Sequence, residues 1–187
     1  MTSMRLMTAL VALFALTACT SPTGLIDAAT TPAEDRSFAD SSADAELKLT
    51  INKRFLDESG KLFVDVNTVV YESRVLLTGK VENQAAHDTA ERIVQQTPGV
   101  REVINELVVT TDRSFVSGVN DVAIEIKIKA QLVATKDIKS INYRWRSLAG
   151  TVYVIGAAQS SQELSSVLEV IRRIDGVRKV VNFVRVR

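Results

Sequence analysis

The 187 residues leave room for one domain or two small ones, and a composition of 46% hydrophobic and 24% charged residues is ordinary for a globular protein. One cysteine and one histidine exclude an internal disulfide and a His/Cys ligand set for a metal. The net charge of +1 hides an uneven division: residues 41–114 hold nine Lys/Arg against twelve Asp/Glu, whereas residues 115–187 hold twelve against six.

Residues 1–18 read as a signal peptide, with a weakly positive start to Arg5 and an apolar run from Leu6 to Leu16 that is too short to span a bilayer comfortably. Leu16-Thr17-Ala18-Cys19 resembles the bacterial lipobox, an aliphatic residue and two small ones before cysteine. The resemblance implies cleavage before Cys19 and a diacylglyceryl group on its sulfur. Thr20 follows where an aspartate would hold an enterobacterial lipoprotein in the inner membrane, so the chain resembles the outer-membrane class. Residues 19–41 are rich in Ser, Thr, Ala, Pro and Asp, and read as a flexible tether with a reach of about 25 Å.

The rest of the chain carries one pattern twice, at 42–112 and 117–187. Val75-Leu76-Leu77-Thr78-Gly79 returns as Val152-Tyr153-Val154-Ile155-Gly156, and Gly99-Val100-Arg101-Glu102-Val103-Ile104-Asn105 returns as Gly176-Val177-Arg178-Lys179-Val180-Val181-Asn182, every pair 77 positions apart. Asp44/Asp121 and Ile51/Ile128 extend the register backward and Val109/Val186 forward. A constant offset over about 65 residues means two copies of one domain.

Each copy reads helix, strand, strand, helix, strand. In the first, Leu47, Ile51 and Phe55 make a helical stripe, and strands are predicted over Phe63–Tyr71 and Arg74–Lys80. Asn83 is the predicted N-cap of a helix that buries Ala86, Ala90, Ile93, Val94 and Thr97, and Glu102–Thr110 is the last strand. In the second, Ile124, Ile128 and Leu132 match the first stripe. Strands follow at Ile138–Arg146 and Thr151–Ala158, a helix buries Val167, Val170, Ile171 and Ile174, and Lys179–Arg187 closes the copy. Val122, Ile124, Ile126 and Ile128 alternate as a strand would, but the register with copy one assigns them to a helix. Gly79 and Gly156 are expected to end a strand at a sharp turn or bulge, and Gly99 and Gly176 to end helices in a left-handed conformation. The fold class is α+β: two tandem αββαβ domains, each a three-stranded mixed sheet with two helices on one face. Domains of about 70 residues sit near the lower limit for a stable core, so packing of one on the other would help both.

An opening Asp, a strand ending in Gly, and Gly-Val-x-x-Val-x-Asn after a helix together resemble the BON domain of bacterial envelope proteins. Doubled behind a lipobox, they resemble the dual-BON outer-membrane lipoproteins. The resemblance implies phospholipid binding and envelope maintenance without enzymatic activity. One departure is Ala123, where family members often place an aromatic residue.

No nucleophile with a histidine base and no phosphate-binding glycine loop is present. His87 is expected to be a solvated helix residue, and Asn105 and Asn182 to hydrogen-bond local backbone. No cofactor is expected beyond the lipid on Cys19. Two partners remain, an anionic phospholipid membrane or an outer-membrane protein of an assembly or secretion complex. Nucleic acid suits a basic domain, but export removes the opportunity. The candidate lipid contact is a second apolar row on the helix near Val119–Val133, formed by Val119, Val122, Ala123, Ile126, Ala130 and Val133 and flanked by Lys127 and Lys129. Packing of that row against the first domain is the competing expectation.

Overall fold

The computed structural model describes residues 34, 36–111 and 118–187. Cys19, the signal peptide and most of the tether lie outside the described residues.

Helix α1, Phe38–Glu58, opens on Ser37, whose side chain accepts a hydrogen bond from the Asp40 amide at 3.1 Å. The tether was expected to run to Ser41, so its last four residues are a correction: Ser37 caps the helix one turn earlier. Asp44, Leu47, Ile51 and Phe55 recur at i, i+3, i+7 and i+11 and form its buried stripe. A short helix, α2 (Gly60–Asp65), follows where the first strand was expected to begin. Ser59 caps it, and only Leu62 is buried while Phe63 and Val64 face solvent. That one-sided burial suits a helical turn, and strand β1 is confined to Val66–Tyr71.

Strand β2 (Arg74–Val81), helix α3 (Gln84–Gln95) and strand β3 (Glu102–Val109) complete the first copy, with Asn83 capping α3 through the Ala86 amide. β1 pairs antiparallel with β2, and β2 parallel with β3, giving the order β1-β2-β3. The second copy repeats this as α4 (Gly118–Ala134), β4 (Tyr143–Leu148), β5 (Thr151–Ala158), α5 (Ser161–Arg172) and β6 (Lys179–Val186), in the order β4-β5-β6. The alternating Val122–Ile128 segment is helix, as the register required. β4 starts later than Ile138 because a 3-10 turn, Ser140–Asn142, intervenes. The Lys139 amide there donates to Glu163 at 2.9 Å, which ties the turn to α5.

Gly79 and Gly156 do not end their strands. They sit inside β2 and β5, opposite Val66 and Tyr143, with φ of 138° and 158°. A Cβ at Gly79 would lie 2.1 Å from the Asp65 carbonyl oxygen, and one at Gly156 would lie 2.3 Å from that of Asn142. Both glycines therefore allow close backbone approach where the first strand of each copy begins. The opening aspartates have an equally local task. Asp44 accepts from the Glu72 and Ser73 amides at 2.7 and 2.9 Å, both of which have positive φ in the β1–β2 turn. Asp121 accepts from the Ala149 and Gly150 amides and the Ser147 hydroxyl at 2.8, 3.0 and 2.6 Å. Each carboxylate thus pins the first helix of its copy to the tip of the first hairpin.

Among the described residues three cores hold the fold. One joins α1, α2 and α3 to one face of the first sheet, and a second joins α4 and α5 to one face of the second sheet. The third contains strand residues of both sheets: Val69, Tyr71, Leu76 and Ile104 meet Tyr153, Ile155 and Ala157. The sheets therefore pack face to face through their helix-free sides, and the layers run helix, sheet, sheet, helix. Each large side chain wholly buried there contributes about 1.5–3 kcal/mol, which neither copy obtains alone. Burial pushes the Tyr71 hydroxyl up to about 12, with the neighbouring Glu72 charge adding to the effect.

Charged groups rim this apolar interface. Arg74, buried, donates to Glu102 at 2.7 Å and to the Phe183 carbonyl of the other copy at 2.8 Å. Arg185 reaches Glu102 at 2.6 Å, and Arg187 pairs with Glu72. At another point Glu34 pairs with Arg36 at 2.9 Å and with Arg144 of β4 at 3.2 Å, while Arg36 also pairs with Asp44. The Arg36 guanidinium lies 4.5 Å over the Tyr71 ring.

Candidate functional site

Helix α4 is fixed in rotation by its inner side. Ile124, Ile128 and Leu132 are buried in the second core, and Asp121 holds the hairpin tip. Glu125 accepts from the Ser147 amide and from Arg146, both at 2.9 Å, while its backbone carbonyl accepts from Trp145 Nε1 at 3.2 Å. With those positions turned inward, the opposite side of a 3.6-residue helix must face out.

Val122, Ile126 and Val133 are 57%, 64% and 66% exposed, and Ala123 and Ala130 are exposed between them. Val119 falls within α4, but its side chain lies outside the described residues. The competing expectation, that this row packs on the first domain, is not met. The first domain covers the helix-free face of the second sheet, and α4 lies on the other face. Lys127 and Lys129 flank the row and are both exposed. Lys127 stands 3.8 Å from Asp175 beside the groove between α4 and α5, and Lys129 has no ion pair among the described residues.

The positive charge of the second copy is unevenly used: Arg146 and Arg173 pair within the copy, with Glu125 and Glu169. Arg144, Arg185 and Arg187 are tied to acids of the first half, so they hold the interface rather than advertise charge to a partner. Lys127 and Lys129 stay on the outer helix. Sequence reasoning could not separate these groups, because the pairing crosses from one copy to the other.

Because α1 starts at Phe38 and not after residue 41, its outward side is one turn longer than the expected tether leaves room for. Phe38 belongs to it, together with Leu49 and Leu56, and all three are exposed. The overlooked signal was Ser37 followed three residues later by Asp40, a capping pattern in front of the helical stripe.

Remaining side chains have local roles. Asn105 and Asn182 accept from the Leu107 and Val184 amides at 3.2 and 2.9 Å, as expected. His87 is more covered than expected, with a side chain 20% exposed and Nδ1 3.0 Å from Asp88. Among the described residues no group of three His, Cys, Asp or Glu side chains could hold a metal ion, and no helix is long and apolar enough to cross a membrane.

A family model of the BON domain matches residues 43–111 and again 120–187. The chain belongs to the BON-domain family. The expected fold class is shown as well: two BON units, each with a three-stranded mixed sheet and helices. An uncharacterized protein in the gshII 5′ region of Anaplasma centrale is 39% identical over 145 residues, covering 77% of this chain and 95% of that protein. The outer membrane lipoprotein DolP of Haemophilus influenzae is 33% identical over 116 residues, 62% of this chain and 60% of that one. The osmotically-inducible protein Y of Escherichia coli is 24% identical over 141 residues, 74% and 70% of the two chains. Within the BON pattern α1 and α4 are equivalent helices, and each leaves an apolar row outside its own core.

Proposed function

We propose that this BON protein acts in the bacterial envelope by binding rather than by catalysis. It is tethered to the periplasmic face of the outer membrane through lipidated Cys19 and supports envelope integrity by laying α4 of its second BON domain on anionic phospholipid. The observation that carries this reading is the exposed row Val122, Ile126 and Val133, bordered by lysines and left uncovered by the first domain. The lipobox-like Leu16–Cys19 and the similarity to the outer membrane lipoprotein DolP support the same reading.

A helix lying in the interface buries its apolar side among the upper acyl chains and keeps its cations at phosphate level. Ile126 there would contribute about 1.5–3 kcal/mol, and each well-placed lysine about 1 kcal/mol. Three apolar side chains and two lysines suffice for reversible docking, and the tether would keep the domain at the surface. Ala123 replaces the aromatic residue often found at that position, so this contact rests on aliphatic side chains.

The test is sedimentation of the unlipidated Thr20–Arg187 fragment with vesicles of phosphatidylcholine alone or mixed with phosphatidylglycerol. All three cores lie inside this fragment, so it retains the fold. Binding is expected only to the anionic vesicles, weakening with added salt. Ile126→Glu should abolish it while leaving the melting temperature within about 2 °C, because the side chain supports no core. Binding by the Ile126→Glu variant, or equal binding to neutral vesicles, would transfer the function to a protein partner.

A further inference from the structure

The outward side of α1 calls for a different partner from that of α4. Phe38, Leu49 and Leu56 are 89%, 71% and 53% exposed, and Ala45 completes the row. From Phe38 to Leu56 the row extends for about 27 Å at 1.5 Å per residue. It lies on the outer layer opposite α4, so one flat membrane cannot touch both rows. Its charges differ too. Where α4 is flanked by lysines alone, the α1 row has Glu46 and Lys53 on the same flank, both exposed and seven residues apart.

That spacing is self-complementary. In two antiparallel helices related by a two-fold axis, residues on one flank of the first helix meet the same flank of the second. An axis passing between Leu49 and Thr50 places Glu46 level with the partner's Lys53, and Lys53 level with the partner's Glu46. Leu49 then sits at the centre against its own copy. Ala45 and Leu56 continue the apolar seam on either side. The Lys53 ammonium already pairs with Asp57 at 2.6 Å, but with a side chain 73% exposed it is free to bridge outward as well. Two copies of α4 face to face would instead add lysine to lysine.

We propose that α1 is a self-association surface, through which two copies of the chain pair antiparallel about Leu49. This proposal is independent of the lipid reading, because it uses the opposite layer and leaves α4 uncovered. A seam of four apolar side chains per copy falls below the roughly 1,200 Å² of a stable interface, so the pairing is weak in dilute solution.

The experiment is cross-linking of the Thr20–Arg187 fragment, which lacks Cys19 and so has no thiol of its own. Leu49→Cys supplies one thiol at the seam, and Gln162→Cys supplies an exposed control on α5. A short bis-maleimide should link Leu49→Cys into dimers roughly tenfold faster than the control. In the Leu49→Cys background, Glu46→Lys or Lys53→Glu alone should slow linking roughly fivefold, two repulsive contacts replacing two attractive ones. The double exchange Glu46→Lys with Lys53→Glu should restore it. Linking at the control rate, or no recovery in the double exchange, overturns the proposal. Linking at the control rate together with loss of vesicle binding in Leu49→Glu would make α1 a lipid contact instead. Melting temperatures of the single and double variants are expected to match, since none of these side chains enters a core.

Discussion

Helices α1 and α4 are the same helix written twice, and they agree only on the side that faces inward. Leu47, Ile51 and Phe55 in one correspond to Ile124, Ile128 and Leu132 in the other, and Asp44 corresponds to Asp121. On the outer side Leu49 and Leu56 correspond to Ile126 and Val133, so both rows stay apolar. Yet Glu46 and Lys53 in α1 are Ala123 and Ala130 in α4, while Thr50 and Asn52 in α1 are Lys127 and Lys129 in α4. One helix presents a charge pair of both signs, the other lysines beside a wider apolar strip. The lesson is that one stripe of each helix answers to the sheet beneath it and another answers to whatever lies outside, so the two stripes diverge independently.

The comparison is tested hardest at what the copies share. Gly79→Ala and Gly156→Ala each place a Cβ against a backbone carbonyl, at a φ that a side chain rarely adopts. Each should destabilise the fold by about 3 kcal/mol or more in urea unfolding. Because the third core joins the sheets, each should shift the unfolding of both copies together. Two separate transitions, or a negligible effect at one of the glycines, would break the equivalence of the copies.

How much of this was legible beforehand follows from where the information lies. The helices, most strand limits and the Asn83 cap depend on neighbours within a few residues, and periodicity with the 77-residue register located them. The extra turn of α1, the short helix α2 and the late start of β4 depend on individual caps and one-sided burial over five or six residues, too short for periodicity to register. Gly79 and Gly156 stand out in the sequence as strand ends, but they lie inside their strands, and the reason for each is a carbonyl over ten residues earlier in the chain. The sheet-to-sheet core was not legible. Val69, Tyr71, Leu76 and Tyr153 read as ordinary strand residues until the two helix-free faces are brought together. The candidate row on α4 was found by angle alone, whereas its exposure needed the position of the first domain.

A smaller effect sharpens the comparison at the aspartates. Asp121→Asn keeps the shape but weakens hydrogen bonds to two amides and a hydroxyl, and should lower stability by about 2 kcal/mol. Asp44→Asn should cost more, because it also deprives Arg36 of a carboxylate partner while that side chain is only 5% exposed. Chemical denaturation of both variants measures the difference. Vesicle binding per folded molecule is expected to be unchanged in each, as neither carboxylate reaches the outer row. Equal losses would mean that the Glu34–Arg36 segment adds nothing to the first copy.

The smallest effect lies where the copies differ most plainly, at Glu102, whose counterpart is Lys179. The Arg74 hydrogen bond holds the Glu102 carboxyl below the ordinary carboxylate range, and the charges of Arg74 and Arg185 add to it. A carboxyl depressed in the folded state binds its proton more weakly there than in the unfolded chain. Its stabilising contribution is therefore complete above the ordinary value of 4.5 and disappears as pH falls through the folded value. Arg185→Gln removes the outer of the two cations. Its side chain is 60% exposed, so solvent screening limits the loss at pH 7 to less than about 1 kcal/mol. The difference between wild type and Arg185→Gln should be constant from pH 8 to 5 and shrink below pH 4.5, as Glu102 takes up its proton and the pair disappears in both proteins. Urea unfolding at intervals from pH 7 to 3 follows this directly. A difference that persists at pH 3 would assign the role of Arg185 to packing of its stem across the two sheets rather than to its charge.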